Sequence, residues 1–200
     1  ILEQIGNTPL VKIDVFSDEL PDVEIYAKAE MYNPGGSIKD RSALRMLTEA
    51  IQTGQLTLKK TILDSSSGNA GIAYAMIGAV LGHRVELVIP DNASEERKKR
   101  IRSHGARIVY TDAILGYDEA LREVHRRYEE SPDKYFFADQ YKNENNWRAH
   151  YDTTAVEIWE QRRGDLTHFV GGVGTGGTVT GVGRRLKKYN KDIQICCITP

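Results

Sequence analysis

The chain has 200 residues, enough for one or two domains with a substantial core, and the composition of an ordinary globular protein, 40% hydrophobic and 28% charged. A formal net charge of -1 argues against nucleic acid or an acidic membrane surface as the main partner and leaves small molecules as the expected ligands. The two cysteines, Cys196 and Cys197, lie side by side on an expected buried strand, badly placed to bridge each other and too few for a metal quartet. With no signal-like segment after Ile1 and no apolar run of membrane-spanning length, this points to a soluble protein of the reducing cytoplasm.

In chain order, the turn Gly6-Asn7-Thr8-Pro9 precedes a short apolar strand, Leu10 to Ile13, and a second strand runs from Glu24 to Ala29. The next stretch, Asn33-Pro34-Gly35-Gly36-Ser37-Ile38-Lys39-Asp40-Arg41, is a flexible turn that passes directly into a helix. Pro34 and the two glycines allow tight or left-handed backbone, and Ser37 with Asp40 three residues on has capping-box spacing. The helix carries Ala43, Leu44, Leu47, Ala50 and Ile51 on one face, so it packs onto a core and pins Lys39 in its first turn. A buried ammonium there is disfavoured by desolvation and by the helix dipole, which frees the neutral amine to act as a nucleophile or Schiff-base former. A solvated lysine at a helix start is the alternative.

Beyond Gly54 strands and helices alternate: Thr61 to Asp64, Ala70 to Leu81, Val85 to Ile89, Ser94 to Ser103, Ala106 to Tyr110, Tyr117 to Tyr128, Tyr135 to Ala138, Trp147 to Gln161, His168 to Gly171, Thr178 to Tyr189 and Ile193 to Ile198. Short Ile- and Val-rich strands between helix-length segments predict an α/β fold, a mainly parallel sheet covered by helices on both faces with ligands at the carboxyl ends of the strands. The helix from Ala70 is apolar nearly all round and should be sandwiched inside. The one from Ser94 carries a run of charges, read as a solvated face with an anion-docking surface as the alternative.

Two glycine-containing loops lie between a strand and a helix. In Ser65-Ser66-Ser67-Gly68-Asn69-Ala70-Gly71 the free N–H groups and hydroxyls suit a carboxylate or phosphate, unless the serines merely cap the helix. The run Gly171-Gly172-Val173-Gly174-Thr175-Gly176-Gly177-Thr178 contains a Gly-x-Gly-x-x-Gly pattern, but the next strand ends in Ile198, Thr199 and Pro200 without the acid a dinucleotide site expects, and no lysine follows the glycines as in a nucleotide P-loop. What remains is a cradle for one phosphate monoester, or a tight-packing turn. The five histidines, His83, His104, His125, His150 and His168, show no metal-ligand spacing and read as surface or structural. Asn143, Asn145 and Asn146 beside Gln140 form a polar turn that either faces the same cleft or is a plain loop.

An imine-forming lysine, a phosphate cradle and a carboxylate-binding helix start together define a pyridoxal 5'-phosphate site for an amino acid. Gly6-Asn7-Thr8-Pro9-Leu10, Asn33 to Arg41, Ser67-Gly68-Asn69, Pro90-Asp91-Asn92, Gln140 and Gly174-Thr175-Gly176-Gly177-Thr178 give the whole chain a resemblance to the fold type II pyridoxal-phosphate enzymes, in particular to cysteine synthase (O-acetylserine sulfhydrylase) and the catalytic domain of cystathionine β-synthase. The resemblance implies two three-layer domains of helix-covered, mainly parallel sheets. Residues 39–150 would form a smaller, mobile domain, and 1–38 with 151–200 part of a larger cofactor-binding domain that is incomplete. Relatives of this kind run to roughly 300 residues, and their serine facing the pyridine nitrogen lies beyond Pro200.

It further implies that Lys39 is the Schiff-base lysine and catalytic base, that Asn69 bonds the cofactor's 3'-oxygen, and that Gly174, Thr175, Gly176, Gly177 and Thr178 hold its phosphate. Ser66, Ser67, Gly68, Asn69 and Gln140 would take the substrate carboxylate. The family often has threonine at Ser66 and Ala70; the hydroxyl missing at Ala70 implies looser carboxylate binding or an altered substrate. The implied activity is β-replacement making L-cysteine from O-acetylserine or O-phosphoserine and a sulfur donor, in a cytoplasmic homodimer. Cystathionine β-synthase, serine or threonine dehydratase, a dinucleotide oxidoreductase and an inactive or regulatory cofactor-binding homologue are the rival readings.

Overall fold

The computed structural model describes residues 1–199. An antiparallel hairpin pairs β1 (Leu10–Ile13) with β2 (Ile25–Lys28). The helix α1 (Lys39–Gln52) follows, then β3 (Thr61–Asp64), α2 (Asn69–Val80), β4 (Val85–Pro90), α3 (Glu95–Ser103), β5 (Arg107–Thr111), α4 (Gly116–Glu130) and β6 (Tyr135–Phe137). The four strands β3 to β6 make one parallel sheet in the order β5-β4-β3-β6. Every residue of β3 and β4 is buried, as expected of strands covered on both faces. On one face α1, α2 and α3 build a core around Met46, Leu47, Ile62, Tyr74 and Leu87. On the other, Ala120 and Val124 of α4 pack on Leu63, Val88 and Tyr135. Each large aliphatic buried this way contributes about 1.5–3 kcal/mol.

The remaining elements are α5 (Asn145–Ala149), a π-turn over His150–Thr154, α6 (Ala155–Gln161), β7 (His168–Gly172), α7 (Gly177–Tyr189) and β8 (Gln194–Ile198). β7 and β8 pair in parallel, and Ala155, Ile158, Val182, Leu186 and Ile193 form a third core cluster beside them. Two expectations are corrected here. The helix expected from Trp147 to Gln161 is interrupted by the π-turn, on which α7 closes so tightly that a Cβ on Gly181 would collide with Trp147 O. Cys196 and Cys197 are both exposed, because among the described residues β8 pairs with β7 alone. Of the expected apolar face of α1, Ala43, Leu47 and Ala50 are buried while Ile51 is 36% exposed. The α3 charge run is mostly exposed, but Lys98 is buried and bonds to Asp91 O and Glu95.

Candidate active site

β3 lies between β4, which follows it in the chain, and β6, which comes much later, so the direction of winding reverses between β3 and β6. Crevices at the carboxyl ends of strands open at such points. The loops leaving these two strands hold Ser65 to Gly68 and Ala138 to Gln140, and Ala138 N–H donates to Leu63 O at 3.2 Å across the pair. The Asp64 carboxylate, fully buried at the end of β3, accepts from Ser65 N–H at 2.7 Å and faces the Gln140 backbone and the Tyr74 hydroxyl. Burial, with Asp139 nearby, pushes Asp64 up to about 7.

The Ser65 to Gly71 segment is held from two sides. Tyr117 OH donates to Ser65 O at 2.6 Å, and the Ser66 carbonyl folds so closely over the helix start that a Cβ on Gly71 would collide with it. Gly68 is the cap residue of α2 and no side chain caps the helix; Ser66 Oγ instead accepts from Gly68 N–H at 3.3 Å. The serines therefore do not use up the helix start, whose first amides stay available to an anion. Ser66 is buried, Ser67 and Gly68 half-buried, and Asn69 exposed.

At α1 the expected capping box is absent. Ile38 occupies the cap position without a side-chain bond; Ser37 Oγ accepts from Lys39 N–H at 3.2 Å, and the Asp40 carboxylate reaches back to Gly35 N–H at 2.5 Å. Both bonds fold the glycine turn over the helix start, and Arg100 of α3 adds one to Gly35 O at 3.1 Å. Arg41 anchors the helix from behind. It pairs with Glu157 of α6 at 2.6 Å and with Glu30 at 2.8 Å, while Lys28 of β2 pairs with Glu157 at 2.6 Å. Burial would raise the Glu157 carboxyl, but hydrogen bonds from Arg41 and Lys28 outweigh it and hold it at about 2. Lys39, half-buried, has no such partner among the described residues, and burial alone lowers its pKa.

The glycine loop from Gly171 to Thr178 follows β7 and opens α7, with Gly176 in left-handed backbone at the cap. Two side chains join it to the other loops. His150, buried in the π-turn, sets Nδ1 3.0 Å from Thr154 Oγ1 and Nε2 3.4 Å from Thr178 Oγ1. Burial, then the charges of Lys39 and Arg41, push it down to about 3, so it stands neutral and close to Lys39. Asn146 donates to Gln140 O and to Thr175 Oγ1. Hydrogen bonds thus run from His150 to the glycine loop, and from there through Asn146 to Gln140, whose backbone faces Asp64.

Hydrogen bonds therefore join Gln140 to Thr175 of the glycine loop through Asn146, and Asp64, at the strand end before Ser66 to Asn69, faces the Gln140 backbone. His150, read from sequence as surface or structural, joins this network through Thr178, and no local pattern signals it. Of the three asparagines of the polar turn, Asn146 reaches the site, whereas Asn143 bonds to Ala138 O and to Asn145 N–H within its own loop.

These residues suit a phosphorylated aldehyde cofactor. The amine of Lys39 has no partner among the described residues, and a Cβ added to Gly172, Gly174 or Gly176 would meet nothing, which leaves the loop's backbone open to a phosphate. The same conclusion comes from comparison with known proteins. The chain is 50% identical over 202 residues to a cysteine synthase of Aquifex aeolicus, covering all of this chain and 62% of that protein. It is 41% identical over 203 residues to a cystathionine beta-synthase of Apis mellifera, covering all of this chain and 40% of that protein. It also superposes on the crystal structure of O-acetyl serine sulfhydrylase isoform 3 from Entamoeba histolytica with a TM-score of 0.94 at 38% identity, covering all of this chain and 60% of that one. The chain thus spans 62% or less of the length of each. The family model of pyridoxal-phosphate dependent enzymes matches residues 1–200, and the chain belongs to that family.

Proposed function

We propose that this chain carries the lysine, substrate and phosphate sites of a cysteine synthase, which replaces the β-substituent of an activated serine, O-acetylserine or O-phosphoserine, with sulfur. The observation that carries this reading is the hydrogen bond of buried His150 to Thr178 of the phosphate-sized loop, with the partnerless amine of Lys39 close enough for its charge to lower the His150 pKa. Pyridoxal phosphate bound at Lys39 supplies the electron sink that lets the α-proton and the β-leaving group depart.

The chain's own groups do the rest. Gly174 to Thr178 would hold the phosphate, and Asn69 would bond the 3'-oxygen of the cofactor. The amides and hydroxyls of Ser66 to Asn69, with Gln140, hold the substrate carboxylate and so orient the Cα–H bond. Lys39 Nζ, whose pKa burial lowers, would be released when the substrate's amine takes its place, would take the α-proton, and would return it once the C–O bond to the leaving group has broken and the C–S bond has formed. Residues 39–150 close over the substrate against 1–38 and 151–200 and exclude water; the four-stranded sheet with its own cores and the separate cluster beside β7 support that division. The working form is a cytoplasmic homodimer. Val11, Phe16 and Val23 of the hairpin region give exposed apolar area for a second copy, and among the described residues no helix is long and apolar enough to cross a membrane.

The test is to supply the full-length protein with pyridoxal phosphate, then O-acetylserine or O-phosphoserine, then sulfide. Cysteine formation supports the reading. Turnover with homocysteine only moves the function to cystathionine synthesis, and steady pyruvate release without a nucleophile moves it to dehydration.

A further inference from the structure

The turn after β6 touches the glycine loop through Asn146, which is 4% exposed. Its Nδ2 donates to Gln140 O at 2.6 Å and to Thr175 Oγ1 at 2.9 Å. A backbone carbonyl can only accept, so the first contact fixes which end of the carboxamide is nitrogen. Both Nδ2 hydrogens are then used. Oδ1 is pressed against Gly177, at a point where a Cβ would collide with it. Thr175 Oγ1 accepts a second time, from Gly177 N–H at 3.4 Å. A hydroxyl has two lone pairs and one hydrogen. With both lone pairs engaged, the Thr175 O–H is left solely as a donor, beside the open space next to Gly174 and Gly176.

We propose that Asn146 is a positioning residue that makes Thr175 an obligate hydrogen-bond donor to the phosphate monoester of the cofactor, and that it ties the glycine loop to the Gln140 turn on the substrate side. This rests on the assignment of the glycine loop made above. Asn146→Asp reverses the polarity: its carboxylate takes the Thr175 hydrogen, turns the donor away from the loop and sets a negative charge beside the phosphate. Asn146→Ala removes the constraint without adding charge.

The experiment titrates the apoprotein with pyridoxal phosphate and, separately, with pyridoxal, which lacks the phosphate, following the cofactor absorbance; thermal midpoints of the apo forms check folding. Loss of one donor to a charged group predicts affinity for pyridoxal phosphate about tenfold weaker in Asn146→Asp, a smaller loss in Asn146→Ala, and pyridoxal affinity unchanged in both. Should the asparagine variants unfold, Thr175→Val, which removes only the hydroxyl, carries the same expectation. In that background Asn146→Ala adds nothing. Variants that bind pyridoxal phosphate like the wild type, equal losses for both ligands, or additive effects of Asn146→Ala and Thr175→Val overturn the proposal. A wild type that binds the two ligands equally overturns the glycine-loop assignment itself, and the proposal with it.

Discussion

Replacing Glu157 by glutamine removes the anion on which Arg41 and Lys28 converge, next to the helix start that carries Lys39. The Glu157 side chain is 12% exposed and receives Arg41 Nη1 at 2.6 Å, Arg41 Nη2 at 2.7 Å, Lys28 Nζ at 2.6 Å and Asn7 N–H at 3.0 Å. Its carboxyl falls from the ordinary 4.5 to about 2, which at about 1.4 kcal/mol per pH unit is on the order of 3 kcal/mol. Breaking a buried pair from one side costs a similar about 3–5 kcal/mol, because the surviving cations stay buried. Since the folded-state value is depressed, this stability is complete above pH 4.5 and is lost as the pH falls toward 2. By linkage about half of it, roughly 1.4 kcal/mol, remains at pH 3. Urea unfolding of wild type and Glu157→Gln at pH 7, 5 and 3 reads this directly. The gap should be about 3 kcal/mol at the two higher values and about half that at pH 3. A gap of the same size at all three would mean that the substitution acts through packing, and the charge argument would fail.

Lys39→Ala should abolish cofactor retention through dialysis and lower turnover by at least ~10²-fold, and borohydride reduction of the wild type should place the label on Lys39; labelling of another lysine would contradict the assignment. Gly71→Ala drives a methyl group into the Ser66 carbonyl, so it should cost about 1–3 kcal/mol in stability and raise KM for the amino-acid substrate, while cofactor affinity holds. Asp64 is raised to about 7 by burial; the folded protein therefore keeps a proton that the unfolded chain loses above the usual 3.8, and stability declines from pH 4 to 7. Asp64→Asn should remove that decline in a thermal-midpoint profile, and an unchanged slope would assign the pH dependence to other groups.

The alternation of strands and helices was legible because both faces of the sheet are covered. β3 and β4 read as short apolar runs, α2 as a helix apolar all round, and each lies within a residue or so of its expected limits. The glycine loops were legible because close backbone approach leaves a direct mark in residue type. What sequence hid was contact between distant polar groups. Asn146 and Thr175 are 29 residues apart, His150 and Thr178 are 28 apart, and no local pattern distinguishes a histidine that meets a loop from one that faces water. The capping-box reading of Ser37 and Asp40 failed for a related reason: Asp40 finds a better partner in Gly35 N–H, a bond made possible by the tight turn before it.

The π-turn has a geometric use that explains why a plain helix would not serve. Lys39 and Arg41 are two residues apart at the start of α1, so their side chains leave the helix about 200° apart. The segment from Asn145 to Gln161 must meet both, His150 standing near Lys39 and Thr178 while Glu157 meets Arg41. In an uninterrupted α-helix residues seven apart fall within about 20° of one face, and His150 and Glu157 would point the same way. Taking up more residues per turn over His150–Thr154 shifts the phase between them, so one segment addresses the lysine side with its first half and the arginine side with its second. The strain of the wider turn is held by Thr153 Oγ1, which donates to Ala149 O at 2.7 Å, and by α7, which closes on the turn at Gly181. The element that breaks the helical pattern is thus the one that lets the ion cluster fix the helix start without occupying the amine of Lys39.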